Sequence, residues 1–486
     1  MAFPYNDLRE FLDQVKGFGE LKEIGGVGWD REMGAMSEMV VRRLSHRSPA
    51  LLFDEIPGYP RGFRCLYGML NSPRRFALSL GIPLEGFSGT MELLRAYRDK
   101  TKNMPLVPPR FVDKGPVTEN ILEGEDIDVL KFPVPVHHEL DGGRYIGTAD
   151  AVITRDPDSG WINSGTYRMQ AVGKNKVTIY ISPGKHGRMQ MDKYLSKGEP
   201  CPLVAIVGVD PLLWVGSRYS VPMGVSEFDY CGGIKGEPME LVRGSFTGLP
   251  FPSYSEIVLE GEVVPGEKVL EGPFGEWPGY YAGGKKEEPV MTVKRVYHRN
   301  HPILTCTASN KPPHPHLFER CFIRSAGLWE ALDKAGVPNI KGVWVHEAGA
   351  GRTFNVVSIK TAYYGHSRHA LVLATHLGPA GYGGRWTIVV DDDIDPSDMY
   401  AVIWAMGTRC DPATDVDFIR KCWSSKIDPM IFDEHYYNSR ALVDACIPYE
   451  HRDDFAKVAE TSPELQKAMV GKYGAIFKEI LGTDFF

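Results

Sequence analysis

The sequence predicts a multidomain protein that combines α+β and α/β folds, and three observations lead there. Its 486 residues amount to about three times the usual domain size. The texture turns β-rich from about residue 128, and turns again after "NKPPHPH" (310–316) into alternating helices and strands. The predicted segments are 1–115, an N-terminal α/β segment; 116–312, a β-rich domain; 313–455, a C-terminal α/β domain; and 456–486, a terminal helix.

Each element follows from local pattern. Leu8, Phe11, Leu12 and Val15 recur at helical spacing, which predicts a first helix stopping near Gly17. Two short strand-like runs follow. Residues 88–101, "SGTMELLRAYRDKT", read as a second helix, and 103–116, "NMPLVPPRFVDKGP", as a proline-rich connector. In the middle, "DAVITRDPDSGWIN", "KVTIYIS", "CPLVAIVGV", "SEIVLEGEV" and "VMTVKRVYH" are β segments separated by Gly, Pro and Asp turns, as in a barrel or sandwich-like layer. The last third reads as helix "LFERCFIRSAGLWEALDKAG", strands "KGVWVHE" and "FNVVSIKT", helix "HSRHALVLATHL", strand "WTIVV" and helix "SDMYAVIWAMG". Ser462 suits an N-cap and Pro463 the first helical position, so a terminal helix starts there. Leu465, Met469, Tyr473, Ile476 and Ile480 fall on one face of it.

Composition narrows the function classes. The chain is 43% hydrophobic and 24% charged, as in an ordinary globular protein. Acidic residues outnumber basic ones, 62 to 55, and no Lys/Arg block is present to track a phosphate backbone, which argues against a nucleic-acid partner. The N-terminus lacks a basic region followed by an apolar one, and no apolar run reaches the ~18 residues of a membrane span. Eight cysteines are scattered without a Cys-x-x-Cys pair, against disulfide and zinc frameworks and in favour of a reducing cytoplasm.

The stretch "EGPFGEWPGY" places two carboxylates, Glu271 and Glu276, on either side of a Gly-Pro-Phe-Gly turn. Alone it fits a surface turn or, with a sugar cleft, a glycosidase pair. Asn163, His186 and Glu227 in the same β-rich region form a mixed O/N set that suits Mn²⁺ or Mg²⁺ better than a closed zinc site. His314 and His316 in "HPH" have no third partner nearby, which predicts a polar role facing a pocket and not a metal site. In "DDDID", residues 391–395, the aspartates read as turn and cap residues.

The order of these motifs carries more than any one of them. "FPVPVHHELDGGRYIGTADAV", Asn163 five residues before Arg168, His186, "GVSEFDYCGG", "SEIVLEGEV" and "EGPFGE" together resemble the UbiD family of decarboxylases, which use prenylated flavin mononucleotide, over nearly the full chain. The resemblance implies a split-barrel-like, flavin-binding central domain and a C-terminal domain that serves oligomerisation. It implies that Asn163, His186 and Glu227 hold a divalent metal bridging to the cofactor phosphate, and that Ser164, Gly216, Ser217, Tyr219 and Glu227 supply oxygens to potassium. Thr166, Tyr167, Arg168, Met169, Gln170, Lys185 and Arg385 join Asn163, His186, Ser217, Tyr219 and Glu227 at the cofactor.

Arg168, Glu271 and Glu276 match the family's catalytic set. On the resemblance the reaction is reversible, non-oxidative decarboxylation of an aromatic, heteroaromatic or α,β-unsaturated acid through a covalent cofactor adduct. An sp² carbon that loses CO₂ needs an electron sink no side chain provides. Arg168 would hold the substrate carboxylate, Glu271 would hold Arg168, and Glu276 would return the proton. Pro273 and the flanking glycines would keep the loop stiff. Two positions depart from the pattern: Lys185 stands where glutamine often precedes the metal histidine, and Arg385 is the nearest cation for the phosphate. Trp277, His314, Phe318, Lys360 and His435 are the expected substrate-pocket residues. The resemblance further implies a homodimer or homohexamer and a flavin prenyltransferase as cofactor supplier. An alternative is a non-catalytic flavin-binding assembly subunit, against which the intact Arg168, Glu271 and Glu276 set speaks.

Overall fold

The computed structural model describes residues 2–83, 89–219, 221–432 and 435–481; Ser88, in the second predicted helix, and the end of the terminal segment lie outside the described residues. The first compact unit runs to Cys446 and the second begins at Ile447.

The first helix, Leu8–Gly17, starts where Asp7 accepts the Glu10 N–H (2.9 Å) and buries the expected Leu8, Phe11, Leu12 and Val15. Strands Leu21–Gly25, Ala50–Asp54 and Arg64–Tyr67 lie side by side, and the edge of their sheet is completed by Ile303–Cys306, in parallel with Arg64–Tyr67. Between them the structure adds two helices the sequence reading lacks, Glu32–Leu44 and Pro73–Ser79. Gly34 in the first sits so close to the His137 backbone that a methyl group would collide with it. The second predicted helix is Thr90–Thr101, and of the proline-rich connector only Arg110–Phe111 joins a sheet.

The central region is a nine-stranded sheet among the described residues, curled into a half-barrel and antiparallel throughout. Its middle strands are buried on both faces. Val204 and Ile206 of Cys201–Ile206 pack into one apolar cluster, and Leu203 and Ala205 into another on the opposite face, as the two-residue side-chain alternation requires. The dominant feature is a long hairpin, Ile257–Glu271 paired with Lys286–His298, whose last rung is Glu271 with Lys286. Three helices interrupt the strands of this β-rich region: His186–Ser196, Pro211–Arg218 and Glu227–Lys235. The second is buried nearly all round, so it has no amphipathic period to read.

The third part of this unit is a five-stranded mixed sheet in the order Ile340–Val345, Phe354–Ile359, Trp386–Asp391, Tyr437–Ala445 and Val416–Trp423. Val356, Ile388, Val390 and Val443 pack on one face with Val402 and Ala405 of helix Met399–Arg409. Val357, Ile359 and Val389 face the other way, toward helices Leu317–Lys334 and His366–His376. The acidic "DDDID" stretch behaves as a turn: Arg409 bonds Asp391 (3.3 Å) and Asp393 (2.6 and 2.8 Å), Asp395 accepts from Ser397, and the following Asp398 caps the next helix.

In the second unit, helix Pro463–Leu481 begins as expected, with Ser462 Oγ accepting the Leu465 N–H (3.2 Å). It is not one regular helix. Tyr473, flanked by Gly471 and Gly474, has φ −123° and ψ 20°, which breaks the predicted apolar row in two. Leu465, Ile476 and Ile480 are exposed.

Candidate active site

Arg168 directly precedes strand Met169–Gly173, bridged to Tyr180, with its guanidinium 4.8 Å from the centre of the Tyr180 ring and 4.9 Å from that of Phe274. Its Nε donates to Glu271 Oε1 (2.9 Å), its Nη2 to Glu271 Oε2 (2.8 Å) and its Nη1 to Glu276 Oε1 (2.6 Å). The two acids differ in how they engage it: Glu271 uses both oxygens, Glu276 only Oε1. All three side chains are largely removed from solvent, with Glu271 2% and Glu276 9% exposed. Burial alone would lower the Arg168 pKa, but Glu276 and Glu271 outweigh it and raise it above the usual arginine value. Losing one carboxylate would leave a buried charge poorly matched, a change of about 3–5 kcal/mol in comparable sites.

The loop between the acids is held from outside. Gly272 has φ 92°, a conformation that favours glycine, and precedes a cis peptide to Pro273. Gln170 accepts the Gly272 N–H (3.2 Å) and donates to the Gly142 carbonyl (3.0 Å), while the Gly142 N–H meets the Pro273 carbonyl (2.8 Å). A side chain at Gly142 would strike the Gly272 carbonyl. The "ELDGGRY" stretch is thus a clamp on the hairpin loop.

Asn163 lies on strand Ile162–Gly165, while His186 opens helix His186–Ser196 and Glu227 opens Glu227–Lys235, so each of the latter two stands at a helix N-terminus with its partial positive charge. The Tyr167 hydroxyl ties the group together, accepting the Gly187 N–H (3.2 Å) and bonding Asn163. Asn163 donates its amide nitrogen to Thr154 Oγ1 (3.2 Å), which leaves its oxygen as the group for a cation. Glu227, 3% exposed, accepts the Ser164 N–H (2.7 Å), and burial pushes its carboxyl up to about 7. Burial, then Lys185, lowers the His186 pKa and favours the neutral imidazole that metals bind. His186 and Trp161 line a recess of about 710 Å³.

Ser164 Oγ and Ser217 Oγ are 2.7 Å apart, and Gly216 and Ser217 lie in the last turn of helix Pro211–Arg218. The Tyr219 hydroxyl is engaged by Glu330 (2.6 Å), so Tyr219 has its backbone to offer a cation. Thr166 Oγ1 bonds the Asp150 carbonyl (3.2 Å), and Met169 is fully buried in the core.

The expected pocket residues divide. Trp277 is buried and lines a second recess, of about 430 Å³, with Ala350, Thr353, Arg385 and Asp428. Arg385 Nη2 lies 2.7 Å from both Asp428 oxygens, so its charge is already met. His314 is fully buried beside His316, ring centres 4.1 Å apart. Phe318 is buried and packs with Phe76, Phe322 and Trp344. Lys360 follows strand Phe354–Ile359, whose opposite end adjoins Thr353 in the recess, which at ~3.3 Å per residue puts Lys360 roughly 20 Å from Thr353. His435 is exposed and stacks on Tyr437. Arg320, Arg324 and Arg352, which the sequence reading omits, crowd Lys185, whose pKa is pushed down to about 8 by loss of solvent and then by Arg352, Arg324 and Arg320. The four-residue spacing of Arg320 and Arg324 in an apolar helix is the one signal that marks them.

Comparison with known proteins covers most of the chain. Residues 12–94, 110–312 and 320–445 match the N-terminal, Rift-related and C-terminal domains of the 3-octaprenyl-4-hydroxybenzoate carboxy-lyase (UbiD) family. A pyrrole-2-carboxylic acid decarboxylase of Pseudomonas aeruginosa is 34% identical over 427 residues, 84% of each chain. The UbiD-class enzyme HmfF from Pelotomaculum thermopropionicum, solved in complex with FMN, superposes with a TM-score of 0.84 at 30% identity, covering 96% of this chain and 100% of that one. The vanillic acid decarboxylase of Sedimentibacter hydroxybenzoicus in open form gives 0.84 at 26% identity over 99% of each.

Proposed function

The chain belongs to the UbiD family of carboxy-lyases, and from that premise we propose that it catalyses reversible, non-oxidative decarboxylation of an aromatic, heteroaromatic or α,β-unsaturated acid with prenylated FMN as cofactor. The observation that carries this reading is the buried Arg168 bonded by Glu271 on one edge and Glu276 on another. Three of the five guanidinium N–H groups are taken, so one remains on each Nη to grip a substrate carboxylate. Glu271, with both oxygens committed, fixes the fork. Glu276 keeps Oε2 free of the guanidinium to carry the proton that replaces CO₂ on the substrate carbon.

The residues also fit the cofactor. Asn163, His186 and Glu227 offer an amide oxygen, a neutral imidazole and a buried carboxylate for a divalent cation, Mn²⁺ or Mg²⁺, beside two helix N-termini suited to a phosphate. Ser164, Gly216, Ser217, Tyr219 and Glu227 would supply oxygens to potassium. When bound, the prenylated flavin supplies the electron sink that carbon–carbon cleavage requires. Glu227→Ala should therefore lose divalent metal and cofactor together, checked by elemental analysis and visible absorbance of the purified protein. Full cofactor occupancy in that variant would remove the assignment. The broader test is CO₂ release from a panel of aromatic and acrylic acids by protein reconstituted with a flavin prenyltransferase, which we propose as the supplier.

Assembly and location extend the same reading. A homodimer or homohexamer is supported by the family resemblance and by the exposed apolar residues Leu465, Ile476 and Ile480. Light scattering at micromolar concentration should give at least twice the 54.2 kDa chain mass; a monomer contradicts it. All eight cysteines are free, which supports a reducing compartment such as the cytoplasm. Among the described residues no helix is long and apolar enough to cross a membrane.

A further inference from the structure

The two acids that hold Arg168 are not fixed alike. Glu271 ends strand Ile257–Glu271, pairs with Lys286 across the hairpin and gives both oxygens to the guanidinium. Glu276 lies beyond that strand, in the hairpin loop, and gives only Oε1, so its aim depends on what holds the loop around it. Its own turn is closed by two backbone bonds, from the Glu276 N–H to the Tyr280 carbonyl (3.0 Å) and from the Gly279 N–H to the Glu276 carbonyl (2.8 Å). These bonds set the shape of the turn. They do not set where it sits against Arg168.

Asp141 supplies that second constraint. Its side chain is wholly out of solvent. Oδ2 accepts the N–H groups of His137 (3.2 Å) and His138 (2.9 Å), which closes the turn that carries Asp141 itself. Oδ1 accepts the N–H of Gly275 (3.4 Å), the residue directly before Glu276. The Tyr281 hydroxyl, on the other side of Glu276, engages the same carboxylate and the Leu140 backbone. One buried carboxylate therefore holds both shoulders of the Glu276 turn. The fit is close, since a methyl group at Gly275 would collide with the Ser309 carbonyl. The support reaches into the N-terminal region as well: His138 Nε2 lies 3.5 Å from Glu38 of helix Glu32–Leu44, and Gly34 of that helix packs on the His137 backbone.

We infer that Asp141, assisted by Tyr281, is a positioning residue for the return of the proton: it aims Glu276 at the substrate carbon without touching the substrate. The inference rests on the decarboxylase reading above. In the step concerned the Glu276 O–H bond breaks, a C–H bond forms with the electron pair of the carbon that lost CO₂, and Glu276 is left as a carboxylate. Asp141 neither gains nor loses a proton. The grip on the substrate carboxylate stays with Arg168 and Glu271, which the strand ladder holds, so kcat and KM should respond separately.

The test uses reconstituted holoenzyme with pyrrole-2-carboxylate, or whichever acid of the panel releases CO₂ fastest. Asparagine at 141 has one acceptor oxygen in place of two, so it cannot serve its own turn and Gly275 together. In Asp141→Asn, kcat should fall by about 10- to 100-fold with KM within about threefold and flavin absorbance kept. The D₂O isotope effect on kcat should rise, because proton return becomes the slow step. Tyr281→Phe removes one hydroxyl and should show the same pattern more mildly, about three- to tenfold in kcat. Independently of turnover, amide exchange read by mass spectrometry should quicken over residues 272–281 in both variants and stay unchanged in strand Ile257–Glu271. Wild-type kcat and isotope effect in Asp141→Asn overturn the role; where Asp141→Asn does not fold, the same result in Tyr281→Phe overturns it. A KM that rises in step with the fall in kcat overturns it too, and assigns Asp141 to substrate binding. In each of these outcomes the wild type still releases CO₂ and the decarboxylase reading stands. A wild type that releases CO₂ from no acid of the panel removes that reading, and the role of Asp141 with it.

Discussion

Arg168→Lys should lower kcat/KM by about two orders of magnitude or more while the protein still folds and still holds its flavin. Lysine keeps the positive charge but is a single point donor. It cannot meet both oxygens of Glu271, reach Glu276 Oε1 and keep two N–H groups for the substrate at once. Each charge-assisted hydrogen bond lost is worth about 1.5–3 kcal/mol, and the substrate is expected to lose at least one with the fixed orientation that came with it. Measured CO₂ release, normalised to cofactor absorbance, separates a chemical defect from an empty site. Turnover within a few-fold of the wild type would mean that the carboxylate is anchored elsewhere.

Glu276→Gln and Glu271→Gln should fail in different ways, because the two acids engage the guanidinium differently. Glutamine at 276 can still accept from Arg168 Nη1 but has no proton to donate, so product release should slow by about 10²–10⁴-fold, within the range of general acid catalysis. Glutamine at 271 replaces one of two acceptor oxygens with a donor facing the guanidinium, so it should loosen Arg168 and raise KM as well as lower kcat. Exchange in D₂O is the sharper measurement. The wild type and Glu271→Gln should carry deuterium into the product carbon, and Glu276→Gln should not. Undiminished exchange in Glu276→Gln would assign the proton to another acid, and the loop would then be a structural turn.

Much of this site is legible in the sequence because its key elements are local. The strand ending at Glu271, the glycine and proline turn and Glu276 all lie within a few residues, and strand propensity and turn chemistry agree there. The partners that complete it come from far along the chain. Nothing in the spacing of Asn163, His186 and Glu227 marks them as one ligand set, and the resemblance to a known family supplies that link. Helices are lost where their pattern is masked. Glu32–Leu44 contains Gly34 and the β-branched pair Val40 and Val41, and Glu227–Lys235 contains Gly232 and Gly233, whose missing side chains let the backbones of Val107 and Pro105 come close. Lys360 and Phe318 show how little sequence proximity to a motif fixes position: Phe318 packs among aromatic rings, and Lys360 sits a full strand length from Thr353.

The fourth strand of the first sheet has a consequence for how the chain is made. Ile303–Cys306 lies against Arg64–Tyr67, and Arg64 donates to the His301 carbonyl (2.7 Å) while Arg9 bonds Glu256 (2.8 and 2.9 Å). On a ribosome, the early strands emerge long before the segment that closes their edge, so an unpaired strand waits, exposed, through the synthesis of the entire half-barrel. The amino-terminal part is therefore not a module that could be cut away or grafted. It is scaffolding whose last beam arrives from the far end of the neighbouring domain, and a nascent chain halted before that point presents an open edge to chaperones.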